Sequence, residues 1–177
     1  MKLDAQGWFS GMRRVRSPNF DARPPHTRIS LLVIHSISLP PEEFGGPGVE
    51  QLFTNTLNPD GHPYYEKLRD LKVSSHFFVR RDGSIVQYVS CLHRAWHAGA
   101  SQWKEKVRCN DFSIGIELEG SDSTAYTDAQ YRSLSSLTRR LKRAFPIQDI
   151  AGHVDIAPAR KTDPGPYFEW PRYLRTI

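Results

Sequence analysis

Residues 29–36 read ISLLVIHS, a continuous run of β-branched and leucine side chains that turns polar only at its end. Such a run predicts a strand buried on both faces. Residues 111–120, DFSIGIELEG, alternate instead: Phe112, Ile114, Ile116 and Leu118 point one way, and Ser113, Gly115, Glu117 and Glu119 the other. Residues 75–89, SHFFVRRDGSIVQYV, place two β-rich runs around Arg81-Asp82-Gly83-Ser84, and Asp-Gly predicts a hairpin closed by a type I′ turn. Over 128–145 the period changes. Tyr131, Leu134, Leu137, Leu141 and Phe145 fall on one helical stripe, and Thr127 with Gln130 forms a capping-box pattern at its start. Arg139, Arg140, Lys142 and Arg143 gather near the helix C-terminus, where the dipole favours cations, and Pro146 stops it.

The remaining elements are shorter. Residues 17–28 form a proline-punctuated lead-in, and LPPEEFGGPGVE (39–50) is a loop. A helix is expected over 49–57, stopped by Asn58-Pro59, then a last strand over 147–151 and a terminal helix within 168–176. Mixed strands and helices with one internal hairpin predict an α/β domain built on a single sheet with helices packed on it. No repeat or linker divides the 177 residues, so a single domain over 1–177 is expected.

Composition narrows the class. With 38% hydrophobic and 24% charged residues the chain reads as globular, and no apolar run approaches the roughly 20 residues of a membrane span. The N-terminal stretch MKLDAQGWFSGMRRVRS lacks the apolar core of a secretory signal. Cys91 and Cys109 are expected to stay reduced, which places the protein in the cytoplasm. A net charge of +5 points to an anionic partner. The basic residues are scattered in short pairs without a stripe or interleaved aromatics, so neither nucleic acid nor membrane is the expected partner. A monomer acting on a small molecule is the simplest expectation.

Of seven histidines, His26 and His62 read as loop residues. His35 closes the apolar strand, and His153 follows the short strand 147–151 and a glycine before a stiff loop, GHVDIAPARKTDPGP. Strand ends are where α/β sheets build sites. Each residue also has a plain alternative: a hydrogen-bonded core histidine for either imidazole, a turn cap for Asp163. Together, His35, His153 and Asp163 match a catalytic zinc site that keeps a position open for water, although their spacing is no local zinc signature. Prolines 158, 164 and 166 lower the entropy lost in holding Asp163 in place. Glu117 and Glu119 present carboxylates on one strand face, as a solvated edge strand would also do. A zinc hydrolase needs one such carboxylate to carry a proton from water to the leaving amine. Lys161, two residues from Asp163, is placed to face an oxyanion or to be an ordinary loop lysine.

These blocks together, with SPNFDARP, LLVIHSISLPPEEFGGP, RAWHAGAS, RCNDFSIGIELEG and YTDAQY, resemble the zinc-dependent N-acetylmuramoyl-L-alanine amidases, specifically the anhydro-muramyl-peptide amidases of the AmpD type, nearly from end to end. The resemblance implies a single mixed sheet of five or six strands with flanking helices, shared with phage amidases and peptidoglycan recognition proteins. It implies Zn2+ held by His35, His153 and Asp163, with Glu117 as catalytic carboxylate and Lys161 stabilising the oxyanion. It also implies Lys72 and Arg108 as grips for substrate carboxylates and His97 as a residue of the substrate cleft. The substrate implied is a small anhydro-muropeptide, cleaved during peptidoglycan recycling between the lactyl group of muramic acid and L-Ala. Ser36 and Lys72 depart from the usual Asn and Arg of this type, and Lys72 gives up a bidentate fork toward a carboxylate. Two other readings fit the sequence less well. A non-catalytic peptidoglycan-binding module is disfavoured by the complete ligand set. A metal-dependent nuclease, suggested only by a pI of 9.4, lacks the paired carboxylates for two metals.

Overall fold

The protein was described from a computed structural model, in which residues 2–177 are placed. Ten strands follow in chain order: β1 Arg13–Arg14, β2 Phe20–Ala22, β3 Leu31–Ile37, β4 Phe77–Val79, β5 Ile85–Gln87, β6 His93–Ala95, β7 Gln102–Trp103, β8 Lys106–Val107, β9 Ser113–Glu119 and β10 Asp149–Gly152. The helices are α1 Gly48–Phe53, α2 Asp128–Ala144, α3 His153–Ile156 and α4 Trp170–Leu174. Six strands form one mixed sheet in the order β1-β5-β4-β9-β3-β10, and β2-β6 and β7-β8 are separate two-stranded ribbons. Within the sheet only β4 and β5 run antiparallel. The expected mixed α/β sheet is therefore present, with six strands.

The two long strands sit at its centre, which their composition explains. Residues Leu31 to His35 of β3 and all seven residues of β9 are buried. On one face Leu32, Ile34, Ile114, Ile116 and Leu118 pack with Leu134, Leu137 and Leu141 of α2. Each such buried leucine or isoleucine contributes about 1.5–3 kcal/mol over an exposed one. On the other face Leu31 and Val33 pack with Ala98, Cys109, Phe112, Ala151 and Ile156. Phe112 thus lies on the face opposite Ile114, against the alternation read from the sequence. It follows the short 3₁₀ turn Cys109–Asp111, and the strand begins only at Ser113. Glu117 and Glu119 belong to a central strand, not to a solvated edge.

Local chemistry explains the helices and the departures. Thr127 Oγ1 accepts from Gln130 N at 3.1 Å and Gln130 Oε1 accepts from Thr127 N at 3.0 Å, the reciprocal cap expected for α2. Gln130 Nε2 also donates to Glu119 O at 2.9 Å, tying the helix start to the end of β9. The helix expected over 49–57 stops at Phe53. Thr54 Oγ1 bonds back to Glu50 O at 2.8 Å, and Asn55 takes a left-handed φ of 58°. The hairpin also closes differently. Only Gly83 of its turn has a positive φ, 84°, and Gly83 N donates to Arg80 O at 2.8 Å. Arg80 N then donates to Ser84 O at 2.9 Å, so the loop is a three-residue turn with glycine in the left-handed position. His153 opens the four-residue helix α3 where a loop was expected, its first turn capped by Asp155 Oδ2, which accepts from Gly152 N at 2.7 Å.

Candidate active site

Three adjacent parallel strands end together. In the register of the sheet Gly152 lies beside Ile34, Ile34 beside Ile116, and His35 beside Glu117. His153, one residue beyond Gly152, therefore emerges level with His35 and Glu117 at the carboxyl ends of the strands, where open α/β sheets hold their ligands. The loop after α3 brings in the third group. Val154 N donates to Asp163 O at 2.9 Å, Tyr126 Oη donates to Pro164 O at 2.7 Å, and Thr162 Oγ1 donates to Asp122 Oδ2 at 2.5 Å. Gly152 makes this closure possible, because a Cβ there would stand 2.8 Å from Pro164 Cδ.

The result is a triangle of donor atoms. His35 Nδ1 lies 3.0 Å from His153 Nδ1 and 3.2 Å from Asp163 Oδ2, and His153 Nδ1 lies 3.1 Å from Asp163 Oδ2. Ligands about 2.0–2.1 Å from a tetrahedral ion stand roughly 3.3 Å apart, so these atoms are spaced like one face of a coordination tetrahedron. Both imidazoles are buried, and burial pushes His35 down to about 4, which keeps its ring neutral. Two imidazoles and a carboxylate with converging atoms can hold a metal ion, and the donor set suits zinc.

Glu117 stands beside this triangle, buried, and its Oε2 has no hydrogen-bond partner. Burial pushes its carboxyl well above the ordinary range, Asp163 adds to the effect and Lys161 opposes it. An orphaned buried carboxylate oxygen beside a metal-type donor set marks where a reacting group belongs. Glu119 differs: its two oxygens accept from Gly45 N at 2.5 Å and Arg81 N at 2.9 Å, which makes it a strut between loops.

A cleft of about 580 Å³ opens over these groups, lined by Glu117, His153, Lys161 and Asp163 together with Leu52, Phe53, Leu68 and Val73. The structure thus brings His35, His153, Asp163, Glu117 and Lys161 to one place, and His97, which lines the same cleft, packs against His35. Both ring nitrogens of His97 face protein atoms: Nδ1 lies 2.9 Å from His35 Nε2 and Nε2 lies 3.2 Å from Ser113 Oγ. Lys72 and Arg108 are not among the residues lining the cleft. Lys72 is exposed on a smaller neighbouring groove beside Tyr65 and Arg69. Arg108 is exposed and pairs with Asp111 at 3.3 Å. Sequence reasoning passed over Arg160, which lines the cleft while its Nη2 donates to Ala98 O at 2.7 Å and Ala100 O at 2.9 Å. Nothing in the pattern around it distinguishes it from a solvent-facing arginine.

The arrangement is that of an amide hydrolase, and the chain belongs to the N-acetylmuramoyl-L-alanine amidase family, whose sequence profile matches residues 25–166. Among its relatives is the 1,6-anhydro-N-acetylmuramyl-L-alanine amidase AmpD of Escherichia coli, 56% identical over 170 residues that span 95% of this chain and 93% of that protein. The crystal structure of a selenomethionine AmpD derivative superposes with a TM-score of 0.97 at 54% identity, covering 100% of this chain and 99% of the other. The Escherichia coli amidase AmiD, solved with the substrate anhydro-N-acetylmuramic acid-L-Ala-D-gamma-Glu-L-Lys, has a TM-score of 0.64 at 30% identity, covering 88% of this chain and 60% of that one. The expected likeness to peptidoglycan recognition proteins appears at the level of fold, with the Apis mellifera PGRP-SA at TM-score 0.60 and 14% identity.

Proposed function

We propose that this chain hydrolyses the amide between the lactyl group of 1,6-anhydro-N-acetylmuramic acid and the L-Ala of the stem peptide, with Zn2+ held by His35, His153 and Asp163. The observation that carries the reading is the donor triangle of 3.0–3.2 Å beside the unpartnered Glu117 carboxylate, which lines the cleft. The high identity to amidases named for the anhydro sugar supports the substrate. Free, buried Cys91 and Cys109 accord with work in the cytoplasm, and the enzyme is taken to act there as a monomer.

Zinc bound there would supply Lewis acidity, polarising the scissile carbonyl and making water a nucleophile near neutral pH. The protein's own groups do the rest. Glu117 takes a proton from the attacking water and returns it to the leaving nitrogen of L-Ala. Its elevated proton affinity suits a group that must hold that proton between the two events. Lys161 offsets the negative charge that develops on the carbonyl oxygen as it becomes tetrahedral. The apolar side chains of the lining, Leu52, Phe53, Leu68 and Val73, offer contact to the uncharged part of the substrate. Lys72 and Arg108, outside the lining, act on stem carboxylates at longer range.

Zinc-loaded protein incubated with soluble anhydro-muropeptide, its reducing-sugar counterpart and intact sacculi tests this, with products identified by mass spectrometry. The expected result is release of the stem peptide from the anhydro compound at a much higher kcat/KM than from the other two. Equal kcat/KM values, or efficient release from sacculi, would make it a general wall amidase.

A further inference from the structure

His97 is buried at 9% exposure and has no ring nitrogen to spare for a substrate. Its place is made by Gly115: a Cβ on that residue would meet His97 Cγ at 2.5 Å and Nδ1 at 2.7 Å. Asn110 Oδ1 anchors the backbone on either side, accepting from His97 N at 3.2 Å and Ala98 N at 2.8 Å. The ring so seated lies directly against the metal-type ligand His35.

The Ser113 hydroxyl has one hydrogen, and it donates that hydrogen to Cys109 O at 2.5 Å, a carbonyl that has none to give. Toward His97 Nε2, 3.2 Å away, Ser113 Oγ therefore offers only lone pairs, so Nε2 must carry the ring proton. A neutral imidazole has one, which leaves His97 Nδ1 bare. That bare nitrogen lies 2.9 Å from His35 Nε2, so the bond between the two rings requires the hydrogen on His35 Nε2. His35 Nδ1 is then bare and points at Asp163 and His153. His153 is oriented separately: its Nε2 lies 3.3 Å from Ala98 O, which can only accept, so Nε2 carries a hydrogen and Nδ1 faces His35 and Asp163.

We propose that His97 is a positioning residue of the metal site: with Ser113 it relays a single proton arrangement from the Cys109 carbonyl to His35, holding His35 in the tautomer that ligates metal before any metal arrives. This rests on the metal reading given above. The relay orients the ligand through its second nitrogen, as partners of metal-bound histidines generally do. Here the partner is another histidine whose own tautomer is dictated by a serine. The arrangement turns the bare Nδ1 of His35 toward His153 Nδ1 at 3.0 Å and Asp163 Oδ2 at 3.2 Å, where a shared cation would sit.

Two measurements on the full chain test the relay. First, histidine ¹⁵N NMR of the metal-stripped wild type should show the proton on Nε2 of both His97 and His35, and Ser113→Ala should mix the tautomers of His97. Second, zinc affinity, read by competition with a chromogenic chelator, should fall about 10–100-fold in His97→Ala. His97→Asn, whose carboxamide oxygen can accept at the Nδ1 position, should recover most of that loss. A proton on Nδ1 of His97 in the wild type overturns the relay, as does a folded His97→Ala that binds zinc as tightly as wild type. A wild type that binds no zinc overturns the metal reading and this proposal with it, and so is distinguishable from failure of the relay alone.

Discussion

His35 and Glu117 are register partners, directly beside one another on the parallel strands β3 and β9. This pairing places a metal-type ligand and the proposed proton carrier on neighbouring strands with no loop between them, so their separation is held by the sheet's hydrogen bonds. Two residues further, Ile37 pairs with Glu119, whose carboxylate is consumed by Gly45 and Arg81. The two glutamates should therefore fail differently. Glu117→Gln should keep the fold and the metal while kcat falls on the order of 10²–10⁴-fold. Glu119→Gln should lower the melting temperature and leave kcat of the folded fraction near wild type. Normal turnover by Glu117→Gln with a dead, well-folded Glu119→Gln would move the role along the strand.

Metal content checks the donor triangle. Elemental analysis should find one zinc per chain in the wild type and none retained in His153→Ala. Gly152→Ala probes the same triangle without touching a ligand. Its Cβ would press on Pro164 Cδ and displace the loop that carries Asp163, an overpacking that costs about 1–3 kcal/mol. Weakened zinc binding in Gly152→Ala is the expected outcome, and full affinity would mean that the loop is held by its other bonds.

Acid should unfold the metal-free protein through its buried histidines. Burial, followed by the neighbouring Arg23 guanidinium, pushes His76 down to about 3 from 6.5. Between those values the unfolded chain binds a proton that the folded chain does not. Stability is therefore full above about pH 6.5 and falls as pH drops, by about 1.4 kcal/mol per unit for this one group. His35 and His97, both pushed down by burial, act in the same direction. Urea midpoints at pH 7.5, 6.0 and 5.0 in the presence of chelator would show the slope. A reduced slope is expected in His76→Asn, and an unchanged one would remove His76 from the account.

Lys72 and Arg108 stand outside the cleft lining, so their effects should be long-range. Alanine at either position should lower kcat/KM modestly, with kcat preserved, and the loss should grow at low ionic strength. It should also shrink on a substrate with a shortened stem. Equal losses on long and short stems would show that neither residue reads the stem.

What the sequence by itself determined was whatever depends on near neighbours. The alternation of residues 113–119 separated Ile114 and Ile116 from Gly115 and Glu117, and the Thr127–Gln130 pair marked the start of α2 to the residue. Short-range signals competing at one place read less well: Asn55 ended α1 early, and Gly83 alone, without Asp82, took the positive φ of the hairpin turn. His35, His153, Asp163, Glu117 and Lys161 were legible as a set because their types and flanking motifs matched a family's. Nothing local says that they meet. Tertiary structure decided that β9 is central, that His35 pairs with Glu117, that Gly152 lets Pro164 close over it, and that Gly115 yields its space to His97. The contacts that assemble the site join residues up to 128 positions apart, as between His35 and Asp163. They arise from strand pairing and close packing, in which each contact depends on every neighbour, whereas a periodic pattern depends only on residues within a turn or two of itself.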